Sequence, residues 1–295
     1  MIIRKFPLVL SALLVVPLFP ASCFRSEATC EIGVSKAEDR ADAPLSSTLH
    51  EGASARYGSL ADRRIPGDVK GLEIPSYAAD EDIYVYSGYA SSYSHTTLCP
   101  NWVAYRMTSG DVAGQFRKNY PFSRDPRVKG RQASREDYSH SGYDKGHMAP
   151  RADMKWSKQA YYETFFFTNV CPQAHKMNSG CWRQLEQMCR RVAEHYGTLY
   201  VVTGPIFDSL HPKTIGRAKV HVPDRFFKAL LAPDGDGYHA IAFVMENTEA
   251  TQAVRASAIP VDSLEQMLRR DLFPALEEKW QRKAEACYDW DDWRQ

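Results

Sequence analysis

The sequence predicts an α+β domain, a largely antiparallel central sheet flanked by helices. Three observations point there. Short strand-like runs recur from residue 84 onward. Two of them flank Pro233-Asp234-Gly235-Asp236-Gly237, whose turn residues signal a hairpin. Two stretches carry apolar residues at helical spacing, and strands grouped around such helices fit layers packed on one core. With 295 residues, 44% hydrophobic and 25% charged, the chain has ample length for a sizeable core. A net charge of +1 excludes a globally basic surface, so any nucleic acid would have to meet local positive charge.

In chain order, Arg4 and Lys5 precede an apolar run from Leu8 to Phe19, followed by Ala21-Ser22-Cys23. Residues 1–23 therefore read as an export signal, with Pro17 and Pro20 arguing against a spanning anchor. Ala21-Ser22-Cys23 also resembles a lipoprotein cleavage box, which leaves free secretion and a lipid anchor at Cys23 both open. Either implies an exported protein that is periplasmic, extracellular or anchored to a bacterial envelope. Residues 24–80, rich in Ala, Ser, Glu and Asp, read as an irregular tether and lead-in. Residues 81–295 are expected to form the compact domain.

Within that domain, strand-like material begins at Tyr84 to Tyr89. Asn101 to Met107 reads as a strand with Val103, Tyr105 and Met107 on one face, and Phe165 to Val170 as a buried strand. Leu199 to Ile206, Arg225 to Ala232 and Tyr238 to Glu246 complete the set. One helix is expected from Gly180 to Tyr196, stopped by Gly197, with Cys181, Leu185, Met188, Cys189 and Val192 inward. Trp182, Glu186 and Arg190 share a stripe bordering that face. A second helix begins at Asp262 with Glu265 three residues on, a capping-type start, and continues through Leu264, Met267 and Leu268, with Pro274 breaking or kinking it.

Seven cysteines are present, and without Cys23 the remaining six could form up to three disulfides in an exported protein. A zinc site of Cys171, His175, Cys181 and Cys189 matches no zinc-ligand spacing and is set aside.

Chemistry-bearing residues gather between Asp144 and Arg190. In Asp144-Lys145-Gly146-His147-Met148-Ala149-Pro150 a histidine follows glycine in a turn-prone stretch, where its imidazole suits proton abstraction. Alone it would be read as an ordinary surface residue. Downstream lie Asn169, Asn178, Glu186 and Arg190. An amide oxygen suits Mg²⁺, a carboxylate can hold the ion's waters, and a guanidinium can grip phosphate. The bland readings are a capping role for Asn178 and an exposed ion pair for Glu186 with Arg190.

Taken together, these residues resemble the DNA/RNA non-specific endonucleases, the ββα-metal or His-Me finger group. The motif Asp-Arg-Gly-His followed by Ala-Pro stands here as Asp144 to Pro150. Thr168-Asn169-Val170-Cys171-Pro172-Gln173 and Asn178-Ser179-Gly180, continuing to Leu185-Glu186 and Arg190, match two further blocks. Looser matches extend the likeness over roughly residues 80 to 275. The resemblance implies a ββα-metal finger, and an endonuclease that hydrolyses DNA and/or RNA without sequence specificity and leaves 5′-phosphates. His147 would be the general base and Asn178 the ligand of one hydrated Mg²⁺ or Mn²⁺. Glu186 would hold the ion's waters, Asn169 would support the site and Arg190 would stabilise phosphate. Asp144 would fix the local turn.

Lys145 stands where the motif has arginine, exchanging a planar fork for a point charge that still serves phosphate. An upstream arginine on phosphate is also implied, and Arg117 and Arg124 both qualify. From Arg117 to Arg135 there are seven Lys or Arg and one acid, Asp125, a segment suited to a nucleic-acid backbone or to a solvated loop face. A binding protein that keeps the scaffold without catalysis, and a phosphodiesterase acting on another substrate, are the alternatives.

Overall fold

The computed structural model describes residues 71–235 and 237–294. The expected signal at 1–23, most of the tether at 24–80, and Cys23 and Cys30 lie outside the described residues. The strands in chain order are β1 (Asp82–Val85), β2 (Ala90–Ser94), β3 (Cys99–Thr108), β4 (Asp144–His147) and β5 (Val170–Gln173). They continue as β6 (Thr198–Ile206), β7 (Thr214–Ile215), β8 (Val220–His221), β9 (Arg225–Asp234), β10 (Gly237–Glu246) and β11 (Ala258–Ile259). The principal helices are α1 (Lys158–Glu163), α2 (Arg183–Tyr196), α3 (Val261–Leu268) and α4 (Glu278–Ala284).

Seven strands form one antiparallel sheet in the order β1-β2-β3-β6-β9-β10-β11. Both faces are covered, which is why its long strands are apolar at almost every position. On one face Val103, Tyr105, Val201, Leu230 and Ile241 meet Leu185, Met188, Cys189 and Val192 of α2. On the other, Ala104, Val202, Ala229 and Ala242 meet Val261 and Leu264 of α3 and the segment through Ala284. The expected α+β architecture is thus observed, including the β9–β10 hairpin. Ile74 is buried in the second layer.

Several elements differ from expectation. Phe165 to Val170 is not a strand. Phe167–Asn169 forms a 3₁₀ turn, and β5 begins only at Val170. The run is apolar because Phe165, Phe166 and Phe167 are all buried, and a uniformly apolar stretch does not distinguish a strand from a buried turn. The long helix starts at Arg183, since residues Asn178–Trp182 make a π-type turn with Gly180 outside helical geometry. Gly197, at a φ of 77°, ends it as expected. α3 has no side-chain cap at its start, so Asp262 and Glu265 do not act there as a capping pair. The five described cysteines are all free, with Cys99, Cys171, Cys181 and Cys189 buried and Cys287 exposed. The expected disulfides are therefore absent among the described residues: four of these thiols are used as small apolar core groups.

Candidate active site

β4 and β5 pair antiparallel as a two-stranded ribbon, with Asp144 opposite Gln173 and His147 opposite Val170. The chain then turns through His175–Met177 and the π-type turn into α2. Two strands and a helix thereby form the ββα unit that carries Lys145, His147, Asn178, Glu186 and Arg190, with Asn169 just ahead of β5. Gly146 leaves room here for the buried Gln173 side chain. A Cβ there would lie 2.0 Å from the Gln173 side-chain oxygen.

His147, at the end of β4, sits between Phe122 and Phe165, with ring centroids 5.1 and 5.7 Å away. Its Nε2 is buried without a hydrogen-bond partner. Burial, and after it the Arg151 cation, push the imidazole down to about 3, so at neutral pH the ring is unprotonated.

Asn169 lies behind the histidine, fully buried. Its Oδ1 accepts from the Ala149 amide at 2.8 Å, and its Nδ2 donates to the carbonyls of Ala149 and Thr164 at 2.9 and 3.1 Å. The main chain of Asn169 also accepts from the Met148 amide. Every contact goes to backbone, so Asn169 holds the loop after His147 and does not face substrate.

Asn178 does not cap α2. Its Nδ2 donates to Asp144 Oδ2 at 2.9 Å, and the same oxygen lies 2.9 Å from His175 Nδ1. Asp144 therefore does more than fix a turn. By engaging the amide nitrogen it turns the Asn178 carbonyl oxygen the other way, and a hard neutral oxygen is what a hydrated Mg²⁺ accepts. Glu186 is recessed in α2, where burial pushes its carboxyl up to about 7 against the opposing pull of Lys228. An amide oxygen whose nitrogen is committed to Asp144, together with the recessed Glu186 carboxyl on the helix that follows, is a donor set that suits a single hydrated divalent cation.

Arg190 is already engaged. Its Nη1 lies 2.7 Å from Asp153 Oδ1, and Tyr105 Oη donates to the other Asp153 oxygen at 2.9 Å. The fully buried Asp153 thus fixes the guanidinium, whose side chain remains 20% exposed. Lys145 carries its Nζ over the rings of Phe122 and Tyr138, 5.8 and 5.7 Å from their centroids.

The two upstream arginines stand in different grooves. Arg117 lines one with Lys118, Arg151, Lys155 and Tyr161. There burial, followed by the Arg117 and Arg190 cations, depresses Lys155. Arg124 lines another with Phe122, Arg135 and Phe167. The basic segment is not uniformly free. Arg127 is held by Asp125 and stacks 4.0 Å over Tyr86, and Arg131 donates to the Ala218 carbonyl.

Sequence reasoning missed Asp153, Arg151, Lys155 and Lys228. Lys228 is fully buried on β9, with Nζ 4.7 Å over the Trp182 ring and no hydrogen-bond partner. Its signal was visible, because a lysine inside Phe226-Phe227-Lys228-Ala229-Leu230 is out of place in a core strand.

A model of the DNA/RNA non-specific endonuclease family matches residues 70–277. This chain belongs to that family. The mitochondrial nuclease EXOG of Danio rerio is 34% identical to this endonuclease-family chain over 218 residues, 68% of this chain and 63% of that protein. Human mitochondrial endonuclease G is 30% identical over 191 residues, 60% of this chain and 64% of that protein. The chain thus spans less than two thirds of the length of either relative. A crystal structure of an EndoG/EndoGI complex, described as an inhibition mechanism, superposes with a TM-score of 0.65 at 25% identity, covering 81% of this chain and 96% of that one. These relatives correct the expected location. They are mitochondrial nucleases, which overturns the reading of a protein exported to a bacterial envelope. An apolar N-terminal run with flanking basic residues is a weak address by itself.

Proposed function

We propose that this chain is a divalent-metal-dependent endonuclease that hydrolyses phosphodiester bonds of DNA and RNA without sequence preference. The observation that carries the reading is the joining of an unprotonated imidazole, an Asp144-oriented amide oxygen and a bank of cations around one ββα unit. His147 takes the proton of the attacking water, and the negative charge of an arriving phosphate opposes Arg151 and raises the ring's basicity. Asn178 would hold the ion directly, with Glu186 as the carboxylate of the same site. When bound there, a divalent ion such as Mg²⁺ or Mn²⁺ would supply Lewis-acid stabilisation of the negative charge that builds up at the phosphate.

The remaining residues position and grip. Asn169 keeps the loop after His147 in place, and Asp144 keeps the Asn178 oxygen turned outward. Arg190, fixed by Asp153, presents a preset positive charge to the phosphate. Arg117 with Arg151 and Lys155 takes the backbone on one side of the scissile bond. Arg124 and Lys145 serve the other side. Contacts of this kind read phosphates and not bases, which supports activity on both DNA and RNA. Loss of the bond to the 3′ oxygen leaves 5′-phosphate ends.

Digestion of supercoiled plasmid and of RNA in Mg²⁺ tests the reading. Both are expected to be cut, with cutting abolished by chelator and 5′-phosphates on the products. Equal cutting in excess chelator, or no cutting of either nucleic acid by the wild type, would overturn it.

A further inference from the structure

Asp262 and Glu265 make no cap at the start of α3, and their carboxylates have a different setting. Together with Glu285 they form a cluster in which one oxygen from each residue lies within 4.8 Å of the others. Glu285 follows the end of α4, and its carbonyl accepts from the Asp262 amide at 3.1 Å, so main chain already ties the two helices here. Glu265 Oε1 accepts from the Leu272 amide at 2.7 Å, beyond the left-handed turn at Arg269 that ends α3.

A second observation singles out the cluster. Glu285 is 3% exposed, and its Oε1 has no hydrogen-bond partner. A buried carboxylate oxygen without a donor is costly, and native structures rarely leave one so. The charged groups acting on Glu285 are Glu265, Asp271 and Asp262, all acidic; with burial they push it up to about 8. Glu265 is pushed up to about 7 by burial and by Asp271 and Asp262. Three converging carboxyl groups with no basic neighbour among these influences need either shared protons or a cation.

We propose that Asp262, Glu265 and Glu285 form a second divalent-cation site, suited to Ca²⁺. Oxygens around one Ca²⁺ stand about 2.3–2.6 Å from it, so ligands up to about 5 Å apart can share the ion without moving. Mg²⁺ demands near-ideal octahedral geometry and gives up its waters reluctantly, so it is less suited to a set of protein carboxylates than Ca²⁺. The site lies under α3, on the sheet face opposite α2 and the ββα unit. The ion would fasten α3 to the end of α4 over Leu264, Leu272, Phe273 and Ala284, displacing any protons the carboxyls hold. Its effect is on stability and not on the chemistry at His147.

The test uses the full chain carrying Asn178→Ala, which removes the catalytic metal ligand, alongside wild type. Calorimetric titration with Ca²⁺ is expected to find one ion per chain in the Asn178→Ala protein. Its melting temperature should rise by roughly 5 °C at a hundredfold excess over Kd. Adding Asp262→Asn with Glu265→Gln, both at partly exposed positions, should abolish the binding and the rise. In the wild-type background that pair should leave Mg²⁺-dependent cutting unchanged. Glu285→Gln alone provides a second variant if the pair unfolds, and should weaken Ca²⁺ at least tenfold. Absence of Ca²⁺ binding in Asn178→Ala, or binding that survives these substitutions, would overturn the proposal. So would carboxamide variants that melt higher than wild type with no response to Ca²⁺ in either protein, since that is the behaviour of shared protons.

Discussion

Asn178 owes its orientation to Asp144, whose single oxygen receives both the Asn178 amide and the His175 ring. Removing that acceptor frees the amide to rotate. Asp144→Ala is therefore expected to raise the Mg²⁺ concentration for half-maximal cutting about 10- to 100-fold, with kcat at saturating metal much less affected; a metal titration of the initial rate measures both. Asn169 makes a contrasting case. Its three backbone hydrogen bonds are buried, so Asn169→Ala strands the Ala149 amide and carbonyl and should cost about 2–4 kcal/mol in urea unfolding. Glu186 gives the pH dependence. Its carboxyl stands near 7 in the folded chain against 4.5 for the free group, so between those values the folded state keeps a proton that the unfolded state has lost. In chelator, stability should fall as pH rises from about 4.5 to 7, by up to about 3 kcal/mol from this residue. Glu186→Gln should flatten that slope in unfolding measured across the same range. At this scale the sequence picked out side chains that the fold gathers around one ββα unit, but not the partners that hold them. Asn169, Asn178 and Arg190 could be picked out, and Lys228 stood out as a lysine in an apolar run, but Asp153 could not, because its meaning depends on Arg190 and Tyr105 facing it.

Among the elements, the β4–β5 ribbon packs the Gln173 side chain against the bare backbone of Gly146. Gly146→Ala should lower both stability and cutting, since its Cβ would overlap the Gln173 side chain. Shortening that side chain removes the obstacle, so Gly146→Ala with Gln173→Ala should recover part of the loss, and a double-mutant cycle on unfolding measures the coupling. The legibility of elements followed the same logic. β9 and β10 were readable because their turn residues are explicit, and the end of α2 because Gly197 adopts the left-handed conformation. Phe165 to Val170 misled because burial on all sides erases the period that separates strand from turn. Asp262 and Glu265 misled for another reason. Their spacing is that of a cap, but the helix starts earlier, behind Pro260, and Glu265 accepts instead from the Leu272 amide.

For the whole molecule, a net charge of +1 says little about binding, because what matters is the local gathering of Arg117, Lys118, Arg151 and Lys155 in one groove. Arg127 belongs to the same basic stretch but is occupied by Asp125. Each free groove cation is expected to contribute about one unit to the salt dependence of nucleic-acid affinity, so Arg151→Ala should lower the slope of log affinity against log salt by roughly 1. Arg127→Ala should instead lower stability with little change in slope. The fold contributes by placing that groove, the ββα unit and α2 on one face of the sheet, while α3 and α4 close the other. The most direct measurement of the central claim compares wild type with His147→Ala in single-turnover cutting of a defined duplex at saturating Mg²⁺, with ion binding followed by calorimetry. The account predicts a loss of about 10²- to 10⁴-fold in the chemical step with ion binding unchanged. Cutting by His147→Ala at the wild-type rate, with the ion bound, would contradict it.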